Sequence, residues 1–107
     1  MADYGVILVT TDTQHSAQEI AAALVGDRLA ACVNLYPIHS VYTWENKVEQ
    51  AAEWQLVIKT DLALFTQIAM ALDGLHPYDV PEMIAIPIQQ GSSAYMTWLA
   101  ESTRSRG

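Results

Sequence analysis

The residues best suited to chemistry lie in one short segment, where His76, Asp79 and Glu82 are spaced three apart. Their imidazole and carboxylate groups are metal-ligand groups. Pro77 and Pro81 exclude a regular helix here, so the three residues lie on a turn. The segment predicts a site for a divalent metal ion such as copper or zinc. The alternative is that His76 and Asp79 hold the turn together through hydrogen bonds.

Cys32 is the remaining candidate ligand, because a thiolate binds Cu(I) or zinc. It follows Ala30 and Ala31 in an apolar segment, and free cysteine is among the most buried residue types, so packing is the alternative. As the only cysteine it forms no disulfide within the chain, which favours a reducing cytoplasmic location.

No nucleophile lies in a pattern that supplies it with a base and an orienting group. Cys32 and His76 are the only thiol and imidazole worth pairing, and nothing in the sequence brings them together. Phosphate-binding glycine loops and nucleophile-elbow motifs are absent from the sequence. We therefore expect a non-catalytic protein. The side chains left for proton transfer are four carboxylates, Glu49, Glu53, Asp79 and Glu82.

The composition is that of one small acidic domain, which we expect to span residues 1–107. Twelve acidic residues against five Lys and Arg give a formal charge of −7, and no basic run is present, so nucleic acid and anionic membranes are poor partners. The apolar run Val6–Val9 is too short for a signal-peptide core or a membrane span.

The pattern of the first half of the chain predicts a strand, a helix and a hairpin. The buried-strand pattern covers Tyr4 to Thr10, and Ser16 with Glu19 matches a capping box for a helix that ends at Gly26. Alternation from Ala31 to Trp44 predicts a strand in which Pro37 marks a bulge or an edge. A turn near Glu45-Asn46-Lys47 leads to a returning strand with Trp54, Leu56 and Ile58 on one face.

The second half predicts a helix, a strand and a short final helix. Helical spacing runs from Leu62 to a stop at Gly74, and a strand covers Glu82 to Ile88. The last helix follows Gly91-Ser92-Ser93 and contains Tyr95, Trp98 and Leu99. The order β-α-β-β-α-β plus a terminal helix predicts an α+β, ferredoxin-like fold with a long hairpin between its second and third strands.

Such a two-layer domain leaves one face of its sheet uncovered. Because 51% of the residues are hydrophobic and 16% are charged, we expect that face and the long hairpin to pack against other subunits. The three tryptophans Trp44, Trp54 and Trp98 are then expected in the core or at the subunit interface. His15 and His39 are isolated and carry no prediction of a site.

Several segments are similar, in order, to motifs of the divalent-cation tolerance (CutA) family. The first is Arg28-Leu29-Ala30-Ala31-Cys32-Val33-Asn34, followed by Tyr42-Thr43-Trp44 and Ile58-Lys59-Thr60. His76-Pro77-Tyr78-Asp79-Val80-Pro81-Glu82 and then Gly91, Tyr95 and Trp98 complete the set. Each motif is weak alone, but their common order covers about three quarters of the chain.

The resemblance implies a ferredoxin-like subunit, a homotrimer joined through hairpin strands, and tolerance of divalent metals, chiefly copper. It also implies a likeness to the trimeric PII signalling proteins. That likeness suggests the alternative of a signalling or scaffold trimer that binds a small ligand or a protein at clefts between subunits. Tyr42, Trp44, Tyr78 and the acidic residues could line such a cleft.

The chain departs from the family at two positions that have been regarded as copper ligands. Some members have a cysteine in the first strand and a second histidine before the His-Pro-Tyr motif, where this chain has Thr10 and Leu75. The usual glutamate of that motif is Asp79. His76 is therefore the one matched histidine ligand that the resemblance implies.

Overall fold

In the computed structural model, which describes residues 3–104, the chain forms four strands and three α-helices. In order they are β1 (Tyr4–Thr11), α1 (Gln14–Gly26), β2 (Cys32–Trp44), β3 (Lys47–Asp61), a 3-10 turn (Leu62–Leu64) that leads into α2 (Phe65–Asp73), β4 (Ile84–Pro87) and α3 (Ser93–Ser102). The strands form one sheet in the order β2-β3-β1-β4, and every neighbouring pair is antiparallel. The predicted α+β class is confirmed.

The core lies between one face of this sheet and the helices α1 and α2. Ile7 and Val9 of β1 alternate inward, and Leu56 and Ile58 of β3 do the same beside them. The helices contribute the stripe predicted from their periodicity, with Ala17, Ile20 and Leu24 from α1 and Ile68 and Leu72 from α2. Leu64, in the 3-10 turn, is also fully buried and was not predicted.

The hairpin of β2 and β3 extends beyond the rest of the sheet. Its two-residue turn, Glu45–Asn46, has positive φ at both positions (50° and 64°), as a tight hairpin turn of this length requires. The β2 register is continuous from Cys32↔Lys59 to Trp44↔Lys47, and Pro37 lies on this outermost strand without a bulge. The edge position predicted for Pro37 is therefore confirmed, and a bulge is not formed.

The start of α1 differs from the prediction. Thr13, not Ser16, is the N-cap, and its side chain accepts a hydrogen bond from the Ser16 amide at 3.0 Å. Ser16 is instead the third helical residue, and its hydroxyl lies 2.8 Å from that of Thr11. Serine and threonine are both good N-cap residues. β1 extends to Thr11, one residue past its predicted end, and α1 begins at Gln14 after two intervening residues.

The fourth strand is shorter than predicted, because pairing with β1 is limited to Ile84–Pro87. Residues 82 and 83 belong to the preceding loop. Pro87 lies on an edge strand, where a missing amide proton is tolerated. After it, the Ile88 amide still donates to the Tyr4 carbonyl at 2.9 Å.

The sheet face opposite α1 and α2 remains partly open. Val6 and Leu8 pair with Ile86 and Ile84, and these four side chains share that face because directly opposed residues lie on the same side of a sheet. Ile84 and Ile86 are 50% and 44% exposed. An apolar row of this kind fits the predicted uncovered face.

Between residues 3 and 104, no helix is both long enough and apolar enough to cross a membrane.

Candidate functional site

The segment between α2 and β4 is fastened to the end of β1 by His76. The His76 Nε2 atom lies 2.7 Å from the Thr10 carbonyl oxygen, and the Tyr78 amide donates to His76 Nδ1 at 3.0 Å. A carbonyl only accepts and an amide N–H only donates, so the ring is neutral with its proton on Nε2. The His76 amide also donates to the Leu72 carbonyl at 2.8 Å, which joins this loop to the end of α2.

Both ring nitrogens of His76 are therefore in use within the chain. The Nδ1 lone pair accepts the Tyr78 amide, and Nε2 carries the proton. A metal ion would have to displace one of these two hydrogen bonds to bind the ring. The geometry is that of the alternative interpretation, in which His76 holds the turn.

The next residue that ties the loop to the sheet is Tyr78. Its hydroxyl donates a 2.7 Å hydrogen bond to Oε2 of Glu53 on β3, and its ring lies against that of His76 with the centroids 5.0 Å apart. Burial raises the pKa of the Tyr78 hydroxyl above its ordinary value, and the hydrogen bond to the negative Glu53 carboxylate raises it further. Tyr78 therefore remains a neutral donor across the physiological pH range.

A groove of about 550 Å³ lies between this loop and the hairpin. Three of its lining residues are acidic (Glu53, Asp79 and Glu82) and three are aromatic (Tyr42, Trp44 and Tyr78). Thr10, Ser40, Val41 and Val80 complete the lining, so no Lys, Arg or His takes part among the described residues. The volume lies within the range of small-molecule sites, and the field inside the groove favours cations.

The candidate residues are divided by the structure. Asp79 and Glu82 line the groove within one chain, together with the aromatic side chains that were predicted for a cleft between subunits. His76 is not among the residues that line the groove, but its Nδ1 accepts a hydrogen bond from the amide of Tyr78, which does line it. Cys32 lies apart, half-buried at the start of β2 and opposite Lys59.

These candidate ligands do not form one metal site within a single chain. Over residues 3–104, no three side chains of the His, Cys, Asp and Glu types lie close enough to hold a metal ion together. The other two histidines are placed elsewhere. His15 is exposed on α1, 3.5 Å from the Glu19 carboxylate, and His39 on β2 bonds Gln50 at 2.9 Å.

Two features of the site were not predicted. Glu53 was considered only as one of several carboxylates, although it is the most buried acidic residue of the groove at 8% exposed. The second feature is the Thr10 carbonyl oxygen, which accepts a hydrogen bond from His76. Thr10 was considered only because some family members have a cysteine at this position. One signal was available, because Glu53 lies inside a strand whose neighbours are apolar, where a carboxylate requires a partner.

Comparison with known proteins places this chain and its fold in one family. The CutA1 divalent ion tolerance protein family matches residues 5–102. A divalent-cation tolerance protein CutA of Thermus thermophilus is 42% identical over 99 residues, which cover 92% of this chain and 96% of that protein. A CutA of Pectobacterium atrosepticum is 43% identical over 97% of this chain and 96% of its own length.

Some relatives are longer than this chain. The human protein CutA is 43% identical over 91% of this chain, but the match spans 55% of the human protein. A protein CutA of Arabidopsis thaliana, described as chloroplastic, is 44% identical over 92% of this chain and also has 55% of its length matched.

Solved structures agree with the sequence matches. The divalent cation tolerance protein of Thermus thermophilus superposes with a TM-score of 0.92 at 41% identity, covering 94% of this chain and 99% of that one. CutA1 of Oryza sativa gives a TM-score of 0.92 at 42% identity, with 95% and 94% covered. The chain therefore belongs to the CutA1 divalent ion tolerance family.

Proposed function

We propose that this protein binds divalent metal ions such as copper or zinc without catalysis, and so contributes to divalent-cation tolerance. The observation that carries the proposal is the placement of Asp79 and Glu82 on one loop at an acidic groove, in a chain of net charge −7. Carboxylate oxygens bind divalent cations, and the absence of any basic lining residue leaves their charge uncompensated inside the groove. The names of the relatives point to the same class of ion.

A complete coordination shell requires donors beyond the side chains that the described residues of one chain bring together. The described residues of one chain do not bring three donor side chains together, and His76 already uses both ring nitrogens. We therefore propose Asp79 and Glu82 as ligands that are completed by water or by a neighbouring subunit. His76 and Cys32 remain predicted ligands that the same experiment tests.

We also propose that the chain is a homotrimer of ferredoxin-like subunits joined through the hairpin. Two observations support it: the exposed apolar pair Ile84 and Ile86 on the open sheet face, and the outer half of the hairpin, which pairs with no third strand of its own chain. Open strand edges and apolar faces are the surfaces that subunits use to associate. Light scattering checks the assembly, and a stable monomer at micromolar concentration would contradict it.

Calorimetric titration with copper and with zinc tests the metal proposal. We expect Asp79→Asn and Glu82→Gln to weaken binding, because each removes one charged donor while keeping the side-chain size. His15→Ala is the control, since His15 is exposed on α1 away from the groove. Unchanged isotherms for both carboxamide variants would refute the proposed ligands, and an unchanged isotherm for His76→Ala or Cys32→Ala would remove that residue from the set.

The comparisons return cation-tolerance proteins and do not favour the signalling alternative. The predicted cytoplasmic location rests on the single cysteine and is not confirmed. One similar structure is described as a periplasmic protein of Archaeoglobus fulgidus and one relative as chloroplastic.

A further inference from the structure

The loop after α2 (residues 76–82) carries the two proposed metal ligands in a segment that proline makes stiff. Pro77 and Pro81 each fix their own φ and restrict the residue before them, so the positions of Asp79 and Glu82 are constrained by that of Tyr78. Between residues 3 and 104, neither Asp79 nor Glu82 makes a hydrogen bond or an ion pair of its own. What holds these two residues in place must therefore act through the residues before them.

Tyr78 is the residue that attaches this segment to the sheet. Its hydroxyl donates to Oε2 of Glu53 at 2.7 Å, and its amide donates to Nδ1 of His76 at 3.0 Å. Because Glu53 is only 8% exposed, water competes poorly for the bond from the hydroxyl. Both the backbone and the side chain of Tyr78 are thus fixed directly before Asp79.

The bond from Tyr78 opposes an electrostatic repulsion. Glu53, Asp79 and Glu82 line the same groove, and no Lys, Arg or His lines it among the described residues. Carboxylates of like charge repel one another, and the repulsion grows where water is excluded. Without a bond between the loop and β3, this repulsion would favour a loop that lies farther from Glu53.

We propose that Tyr78 is a positioning residue for divalent metal binding, because its hydrogen bond to Glu53 holds Asp79 and Glu82 in the binding geometry before the ion arrives. The inference rests on the proposed metal function and adds to it a residue that does not touch the metal. A loop already held in place loses less conformational entropy on binding. When only a fraction of the molecules has the competent geometry, the apparent affinity falls by that fraction. Loss of the bond therefore weakens metal binding although both carboxylates remain.

Calorimetric titration of the full chain with zinc and with copper tests the proposal. Tyr78→Phe should weaken binding by about fivefold or more, because the bond to a charged, buried acceptor is lost. The matched control is Tyr95→Phe, which removes the same hydroxyl from a tyrosine on α3 that does not line the groove. Thermal melting verifies that both variants are folded. Equal affinities of Tyr78→Phe and the wild type would overturn the proposal.

A second pair of variants tests whether the effect depends on Glu53. In Glu53→Gln the side-chain amide oxygen still accepts from Tyr78, so adding Tyr78→Phe should again weaken metal binding. In Glu53→Met the acceptor is gone, and adding Tyr78→Phe should have no further effect on affinity. An equal effect of Tyr78→Phe in both backgrounds would contradict positioning through Glu53.

Backbone amide exchange in the metal-free protein distinguishes failure of this inference from failure of the proposed function. The His76 amide donates to the Leu72 carbonyl and the amide of residue 78 donates to His76 Nδ1, so both amides report whether the loop is held. Tyr78→Phe should accelerate exchange at both positions, and Tyr95→Phe should not. Unchanged exchange in Tyr78→Phe would refute the positioning role even if the metals bind. If the wild type binds neither metal, the proposed function fails, and faster exchange in Tyr78→Phe still shows that Tyr78 positions the loop.

Discussion

The hydroxyl of Tyr78 donates a 2.7 Å hydrogen bond to the carboxylate of Glu53, and this bond joins the loop after α2 to the middle of β3. Glu53 lies just beyond the part of β3 that pairs with β1, so the bond fixes the loop at the base of the free hairpin. It thereby determines the distance between the two walls of the groove. The same loop is held on its other side by His76 and the Thr10 carbonyl.

Replacing Tyr78 with Phe should lower the free energy of unfolding by about 2 kcal/mol at neutral pH, because a hydrogen bond to a charged, buried carboxylate is lost while the ring is kept. Urea unfolding measures this difference. Glu49→Gln is the matched control on the same strand, since the Glu49 carboxylate is exposed and should change stability by less than about 0.5 kcal/mol. A loss of the same small size in both variants would contradict a stabilising role for the Tyr78 bond.

The contribution of Tyr78 should decline in alkaline solution. Its pKa in the folded protein is raised above the ordinary value of 10.0, so the folded state keeps the hydroxyl proton when the unfolded state loses it. The stabilisation is therefore complete below about pH 10 and is lost as the pH rises through the folded-state pKa. Urea unfolding of wild type and Tyr78→Phe at about pH 8 and about pH 11 should show the gap between them narrowing. A constant gap over this range would be the contrary result.

Hydrophobic periodicity predicted the helices and strands whose buried face is formed by residues close together in the sequence. The α1 stripe of Ala17, Ile20 and Leu24 and the β3 pair Leu56 and Ile58 are both confirmed, because burial of one face repeats at 3.6 or 2 residues. The burial of Leu64 was not predicted, because Leu64 belongs to a 3-10 turn whose number of residues per turn differs from that of the α-helix that follows.

Contacts between residues that are far apart in the sequence could not be predicted from local patterns. The turn residues of 76–82 indicated a loop, and alternation placed Glu53 on a strand. Neither pattern predicts that Tyr78 of the loop forms a hydrogen bond with Glu53, which is 25 positions away in the sequence. The hydrogen bond from His76 to the Thr10 carbonyl could not be predicted for the same reason, since the two residues are 66 positions apart. Such pairs depend on how the loop crosses the end of the sheet, which is a property of the packed fold.

The N-terminus of α1 offers a direct test of the corrected cap. Thr13→Ala should reduce the free energy of unfolding by about 1 kcal/mol, because the Ser16 amide loses its acceptor. Glu19→Ala should change it by less than about 0.5 kcal/mol, since Glu19 makes no capping contact and is exposed. Chemical denaturation of both variants provides the comparison. A larger loss for Glu19→Ala than for Thr13→Ala would restore the capping box that the sequence predicted.

Arg28 connects the end of α1 to the end of α3. Its backbone has a positive φ of 59°, its carbonyl accepts from the Arg104 amide at 2.8 Å, and its Nη2 donates to the Glu101 carbonyl at 2.7 Å. Both Arg28→Ala and Arg28→Gly lose the guanidinium bond, but only alanine keeps the cost of the left-handed conformation. We therefore expect the glycine variant to be the more stable by about 1 kcal/mol in urea unfolding. Greater stability of the alanine variant would show that this backbone strain is not significant.

Gly5 lies where β1 passes between its two neighbouring strands, opposite Thr60 and Pro87. A Cβ atom here would meet the Ile86 carbonyl oxygen and would lie 2.8 Å from Leu62 Cδ1, so β4 would have to move. Gly5→Ala should reduce the free energy of unfolding by about 1 to 3 kcal/mol. Gly91→Ala is the control, because the three atoms nearest to its Cβ would all belong to the side chains of Met96 and Ile88, and the flexible Met96 can turn away at a cost below about 1 kcal/mol. Thermal unfolding of the two variants checks this, and equal losses would mean that the close approach of β4 to β1 does not limit the residue at position 5.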